Sequence, residues 1–224
     1  MVQAILDGRN TMTRRIVKPQ PDDSGLWNDD THPRSINSTL SGWNGTVNET
    51  GESKEFKCPY GQPGDILWVR ETFYAYGRWV KNGISKTGKQ KFKFQDLTGT
   101  DFQYKYFNEK PDRIKKGKLD GIGWYKRPSI FMPHKAARIF LEVVSVRVER
   151  LKDISEADAI GEGVGHGFQM NAGWPDYMHI KNGICTLTQD TAEMSFASLW
   201  ESINGNGSWD ANPWVWCISF KRIK

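Results

Sequence analysis

The spacing of apolar and polar residues changes several times along this chain, and each change predicts a different element. The run MVQAIL at residues 1–6 reads as a short helix, and Gly8 suits the left-handed position just past its end. Residues 19–57 are rich in Pro, Asp, Ser, Asn and Gly and lack apolar periodicity, which predicts a long loop. After the turn Pro63-Gly64-Asp65, residues Ile66 to Tyr74 alternate faces as a strand. The runs Lys91–Phe94 and Phe102–Phe107 alternate polar with aromatic residues around Thr98-Gly99-Thr100, which predicts a hairpin over 86–107. The longest strand signal spans Arg138 to Leu151. There Ile139, Leu141 and Val143 share one face and Val144, Val146 and Val148 the other, so a bulge is expected near Val143–Val144.

Two helices are predicted late in the chain. Ser155, with Asp158 three residues on, caps a short one. The second runs from Asp190 to about Ile203, with Asp190 and Glu193 as a capping box and Ala192, Phe196, Leu199, Trp200 and Ile203 as one apolar stripe. Trp214 to Phe220 forms the final strand. Many strands with few helices between them predict an α+β fold built on a β-barrel decorated by short helices, rather than a parallel βαβ sheet.

Composition narrows the class. The chain's 224 residues suffice for one domain with a substantial core, and 38 % hydrophobic with 25 % charged residues is globular rather than disordered. No apolar run approaches the roughly 18 residues of a membrane span. The N-terminal apolar stretch precedes its charges and is too short for a secretory signal, so a cytoplasmic protein without a membrane partner is expected. Accordingly, the Asn-x-Ser/Thr matches at Asn37, Asn44, Asn48 and Asn206 read as chance. Cys58, Cys185 and Cys217 are few, far apart and odd in number, and no paired Cys or His spacing supports zinc. Neither a disulfide framework, a metal nor another cofactor is expected.

The net charge of +5 is unevenly spread. Residues 78–138 carry 16 Lys and Arg against 5 Asp and Glu, residues 1–77 carry 8 against 10, and residues 139–224 carry 7 against 11. A basic middle between mildly acidic flanks fits a phosphate-seeking surface. It fits equally a solvated insertion kept soluble by lysine.

Five ordered blocks resemble the ASCH family. The first two are Gly8-Arg9-Asn10-Thr11-x-Thr13-Arg14-Arg15 and Pro63-Gly64-Asp65-x-Leu67-Trp68-Val69-Arg70-Glu71. Arg127-Pro128-Ser129-Ile130-x-Met132-Pro133 follows, then Leu151-x-Asp153-Ile154-Ser155 through Glu162-Gly163, and finally Trp209-Asp210-Ala211-Asn212-Pro213-Trp214-Val215-Trp216. Their order looks like the phage and prophage branch. The resemblance implies one PUA-like ASCH barrel over residues 1–224, with insertions at about 19–57 and 77–120. A cleft between barrel and helices would serve RNA or modified nucleosides. Family members place a short strand before the first helix. Here the helix comes at once, so either the barrel lacks an edge strand or the chain continues upstream.

One branch of that family hydrolyses 4-acetylcytidine with a Lys and a Thr in a Gly-x-Lys-x-x-Thr pattern and a Glu further on. Thr13 matches the threonine and Glu162 the glutamate, but Asn10 stands at the lysine position. A threonine hydroxyl attacks only when a base takes its proton; neutral lysine can do so and an amide cannot. Arg9 stays protonated. The hydrolytic mechanism therefore does not transfer intact.

The resemblance places Thr11, Thr13, Arg14 and Arg15 at the cleft rim, hydroxyls for a base edge and guanidiniums for phosphate. Trp68 and Arg70 are expected on one strand face and Glu71 on the other, with Trp68 either stacking on a base or filling the core. Glu162 is the partner expected for Arg70. Ser129 and Met132, flanked by Pro128 and Pro133, either present fixed carbonyls or turn a corner. Trp209 and Asn212, in the loop before the final strand, are ligand candidates, while Trp214 and Trp216 share one face of that strand, so at least one of them is expected in the core.

Three functions follow as expectations. The first is binding of RNA, single-stranded nucleic acid or a modified nucleoside. The second is an amidohydrolase acting on an acylated pyrimidine nucleoside, with Thr13 and Glu162 catalytic. The third is a phage-encoded protein that engages a host factor.

Overall fold

A computed structural model describes residues 2–20, 42–47, 53–99, 101–165, 173–181 and 184–224. Most of the stretch 19–57, and Thr100 of the expected hairpin turn, lie outside them. The described chain is α+β, mostly strands with a few short helices, and one sheet curls into half a barrel. Among the described residues no helix is long and apolar enough to cross a membrane.

The elements run α1 (Val2–Leu6), β1 (Met12–Ile16), β2 (Gly42–Val47), β3 (Ser53–Lys57) and β4 (Ile66–Trp68). Next come β5 (Phe73–Ile84), β6 (Gln90–Asp96), β7 (Ile114–Lys115), β8 (Gly123–Arg127) and β9 (Phe140–Arg150). After α2 (Glu156–Gly161) come the short strands β10 (Trp174–Pro175), β11 (Ile180–Lys181), β12 (Ile184–Cys185) and β13 (Thr188–Gln189), then α3 (Ala192–Asn204) and β14 (Trp214–Arg222). Contacts divide the chain into two compact units, one of Met1–Leu67 with Ile139–Lys224 and the other of Trp68–Arg138.

In the first unit a four-stranded sheet runs in the order β1-β14-β9-β4. Alternate residues of β14 feed two cores, as period two dictates. Val215 and Cys217 pack with Phe196 and Trp200 of α3 and with Leu151, Ile154 and Ala159 around α2. Trp214, Trp216 and Ile218 pack with Val17, Val143 and Val148 on the other face. At least one of these two tryptophans is expected in the core from the sequence, and both lie there. The predicted bulge is present: Ser219 pairs with Ser145 and Phe220 with Val143, which leaves Val144 as the extra residue.

Local signals set the helix ends. Gly8 closes α1 at φ +73°. Ser155 Oγ accepts from the Asp158 N–H at the start of α2. The cap of α3 is Thr191, whose side chain accepts from Met194 N–H, one residue later than the Asp190 cap expected. The stretch expected as loop at 19–57 contains the antiparallel pair β2–β3. The sequence of residues 42–57 carries no apolar alternation, so periodicity gave no warning of the pair.

The second unit is a sheet of order β6-β5-β8-β7. Its core gathers Phe73, Ala75, Met132 and Ala136, with Trp68, Phe94, Tyr104 and Tyr106 against them. Two predictions fail here. The strand expected over Ile66–Tyr74 is interrupted between Trp68 and Phe73, where Glu71 leaves the ladder and forms a two-pronged ion pair with Arg138 at 2.8 and 2.9 Å. Likewise, β6 pairs with β5 and not with residues 102–107. Phe102 instead stacks on Tyr76 with ring centroids 3.8 Å apart, and Lys105 forms an isolated bridge with Tyr74. The aromatic alternation of 102–107 is thus spent on packing across β5 rather than on a hairpin.

Candidate functional site

The first unit holds the residues of the Gly8–Arg15 block together with Glu162. β1 is the outer strand of its sheet, so one edge of it is unpaired by β14. The chain around the end of α2 covers part of that edge. Thr11 N–H donates to the Gly161 carbonyl at 2.8 Å, and Asn10 forms an antiparallel bridge with Glu162. Asn10 is buried, and its Nδ2 donates to the Glu162 carbonyl at 2.5 Å. The Asn10 amide therefore holds the chain in place.

Arg14 is not a rim guanidinium. Its side chain has no solvent exposure, and it reaches three carboxylates: Glu149 at 2.5 Å, Asp158 at 2.8 Å and Glu162 at 3.2 Å. Arg147 joins the cluster through Glu149 at 3.0 Å and through Asp158. The register explains the convergence, because Arg14, Cys217 and Arg147 stand side by side across β1, β14 and β9. Two guanidiniums thus face three carboxylates, one negative charge too many if all are ionised. Burial pushes the Glu162 carboxyl up to about 7 despite the neighbouring Arg14. Burial works the same way on Glu149, but Arg14, the Cys217 thiol and Arg147 outweigh it and hold that carboxylate below its usual range. A proton on Glu162 makes the cluster neutral. Since Arg14 claims Glu162, the partner expected for Arg70 is engaged elsewhere.

A cavity of about 200 Å³ runs along the open side of β1. Thr13, Arg14, Arg15 and Ile16 contribute from the strand, Glu162 from the end of α2, and Phe196, Leu199 and Trp200 from α3. Arg15 and Lys18 are exposed beside it. The Trp200 indole N–H is buried and has no hydrogen-bond acceptor among the described residues, an unusual state for a buried donor. Thr13 and Glu162 thus share one hollow, though not one face. Arg14 faces α3, its guanidinium 5.8 Å from the Phe196 ring, so alternation turns Thr13 and Arg15 to the opposite side of β1.

The remaining predicted residues are placed elsewhere. Thr11 is exposed at the start of β1. Trp209 packs edge-on against Phe196 at 6.3 Å and lines a separate open groove of about 570 Å³ with Asp176, His179, Glu201 and Asp210. Asn212, at φ +43°, accepts from Lys152 N–H through its side chain at 2.8 Å and so fixes the turn before β14. The second unit contains Trp68, Arg70, Glu71, Ser129 and Met132. Arg70 lies over the Trp68 ring at 4.7 Å, Glu71 pairs with Arg138, and Met132 is buried in that unit's core. Ser129 begins a single 3-10 turn, Ser129–Phe131.

Sequence reasoning missed Glu149, Asp158, Arg147 and Trp200. A signal existed for two of them. Arg147 and Glu149 share a face on a strand whose other face is apolar, and charges at such positions need partners. Among the described residues no three His, Cys, Asp or Glu side chains group as metal ligands. Searches against protein-family models, curated proteins and solved structures return no match to this chain.

Proposed function

We propose that the first unit is a PUA-like ASCH barrel that receives a single nucleobase, from RNA or a modified nucleoside, in the cavity beside β1. One observation carries the reading. Thr13 and Glu162, distant in sequence, border the same small hollow, which also has an aromatic wall and exposed cations beside it. Its volume is below the roughly 300–1,000 Å³ typical of drug-sized ligands, which suits one ring rather than a folded polymer. The unpaired indole donor of Trp200 and the carboxyl of Glu162 supply hydrogen-bonding groups for a base edge. Arg15 and Lys18 stand where a phosphate attached to that base is welcome.

Titration with cytidine, 4-acetylcytidine and uridine, read by tryptophan fluorescence and calorimetry, tests this. Saturable binding that Glu162→Gln or Trp200→Phe weakens supports it. No binding of any nucleoside or short oligonucleotide would defeat it.

The titration of Glu162 near neutrality favours a second reading, hydrolysis of an acylated pyrimidine nucleoside with Glu162 in proton transfer. It ranks behind binding for two reasons. Asn10 is committed to the Glu162 carbonyl, and Thr13 leaves the strand on the face away from Arg14 and its carboxylates. Release of acetate from 4-acetylcytidine, lost in Thr13→Ala, would reverse that order.

A further inference from the structure

We propose that the sheet of the second unit, Trp68–Arg138, binds single-stranded nucleic acid across the face that carries Trp79, Phe94 and Arg127. This surface belongs to the second unit, whereas the residues of the cavity beside β1 all belong to the first.

Strand register assembles the face. Trp79 pairs with Phe94, Lys81 with Phe92 and Phe73 with Arg127, so all of these side chains leave the same side of β5, β6 and β8. On that side Phe73 is buried with Met132 and Ala136 in the unit's core, whereas Trp79, Phe92 and Arg127 are only half-buried, and that part is the proposed surface. Trp79 and Phe94 meet edge to face at 5.4 Å. A glycine makes room for them. A Cβ on Gly77 would lie 2.8 Å from the Phe94 ring and 2.3 Å from the Gln95 carbonyl, so any other residue would push the ring off the sheet.

Cations alternate with these rings. The Arg127 guanidinium lies 4.5 Å from the centroid of Phe94, 4.8 Å from Trp79 and 4.9 Å from Phe131. The Lys118 ammonium lies 5.4 Å from Phe92 and 5.8 Å from Trp79. Arg127 is half-buried, and no ion pair or hydrogen bond is made by its guanidinium among the described residues. The Asp96 carboxylate acts on it only from a distance and is itself held by Tyr104 Oη and Thr98 N–H, so burial prevails and lowers the guanidinium's proton affinity. A desolvated fork of N–H donors with rings against it and nothing to donate to is an open site for a phosphate oxygen. The surroundings favour anions throughout, because Trp68–Arg138 contains 17 Lys and Arg against 6 Asp and Glu.

The alternation selects the kind of polyanion. An acidic peptide would satisfy the cations and leave the rings unused. A duplex offers phosphates but keeps its base faces stacked inside. An unpaired strand supplies both, phosphates for Arg127 and Lys118 and open base faces for Trp79, Phe92 and the exposed Phe131.

The test is fluorescence anisotropy of labelled oligouridylate and oligodeoxythymidylate with the full chain. Binding should weaken as salt rises, with log affinity linear in log salt. Trp79→Ala and Arg127→Ala should each lower affinity by about tenfold or more, the range expected for one lost stacked base or its phosphate contact. The surface change Lys118→Glu, which leaves the rings in place, should also lower it and guards against misfolding of the ring variants. Nucleoside binding in the first unit should be unchanged in all three. Wild-type affinity in Lys118→Glu together with either ring-face variant would overturn the proposal. So would equal binding of heparin, duplex DNA or anionic vesicles with no loss in Trp79→Ala, since that marks a general polyanion surface.

Discussion

Asn10 and Glu162 lie side by side as an antiparallel bridge, with Asn10 Nδ2 2.5 Å from the Glu162 carbonyl oxygen. The Asn10 side chain thus acts on the backbone that carries the glutamate. Asn10→Ala is expected to cost about 1–3 kcal/mol, the usual penalty for stranding a buried polar group. Chemical denaturation would show it as a lower midpoint with an unchanged slope.

Glu162 makes stability depend on pH in a defined direction. Its carboxyl titrates near 7 in the folded protein against an ordinary 4.5. Between those values the folded state keeps a proton that the unfolded chain releases, so stability falls as pH rises through that window. Glu162→Gln should flatten the slope and exceed the parent protein at pH 8 by roughly 2–3 kcal/mol. Urea unfolding from pH 4 to pH 8 measures this; an unchanged slope in the variant would show that the proton sits elsewhere.

Arg14 holds three carboxylates from full burial. Its removal leaves them facing only Arg147, so Arg14→Leu should destabilise by about 3–5 kcal/mol. Arg14→Lys should not restore the loss, because a single ammonium cannot reproduce the fork that reaches Glu149, Asp158 and Glu162 together. Thermal unfolding of both variants decides the point.

In the second unit, Gly77→Ala should destabilise by about 1–3 kcal/mol, the range for overpacking, because the added methyl meets both backbone and ring. Its signature should include a change in near-ultraviolet circular dichroism from the displaced Phe94–Trp79 pair. An unperturbed aromatic spectrum would contradict the packing described.

Much of the first unit was legible in the sequence. The bulge at Val143–Val144, the glycine stop of α1, the Ser155 cap and the core role of Trp214 and Trp216 all arise from local chemistry, which a sequence displays directly. The cluster around Arg14 was not. It depends on register across β1, β14 and β9, and no short window contains Arg14, Cys217 and Arg147 together. The pairing of β6 failed for a related reason. Alternating aromatics fit β6 with β5 as well as β6 with residues 102–107, and only the contact of Phe102 on Tyr76 decides between them. Thr13 and Glu162 were found as borders of one hollow, while their opposite orientation about β1 follows from strand phase.

The two units also differ in how far apart their pairing partners lie along the chain. Trp68–Arg138 is continuous and builds its sheet from nearby strands, whereas the first unit must bring Met12–Ile16 onto Trp214–Arg222. Closing so long a loop costs entropy before its contacts form, and rates of folding decline as such separations grow. On that ground the sheet of Trp68–Arg138 is expected to form before the walls of the hollow beside β1, which wait for strands from the two ends of the first unit to meet.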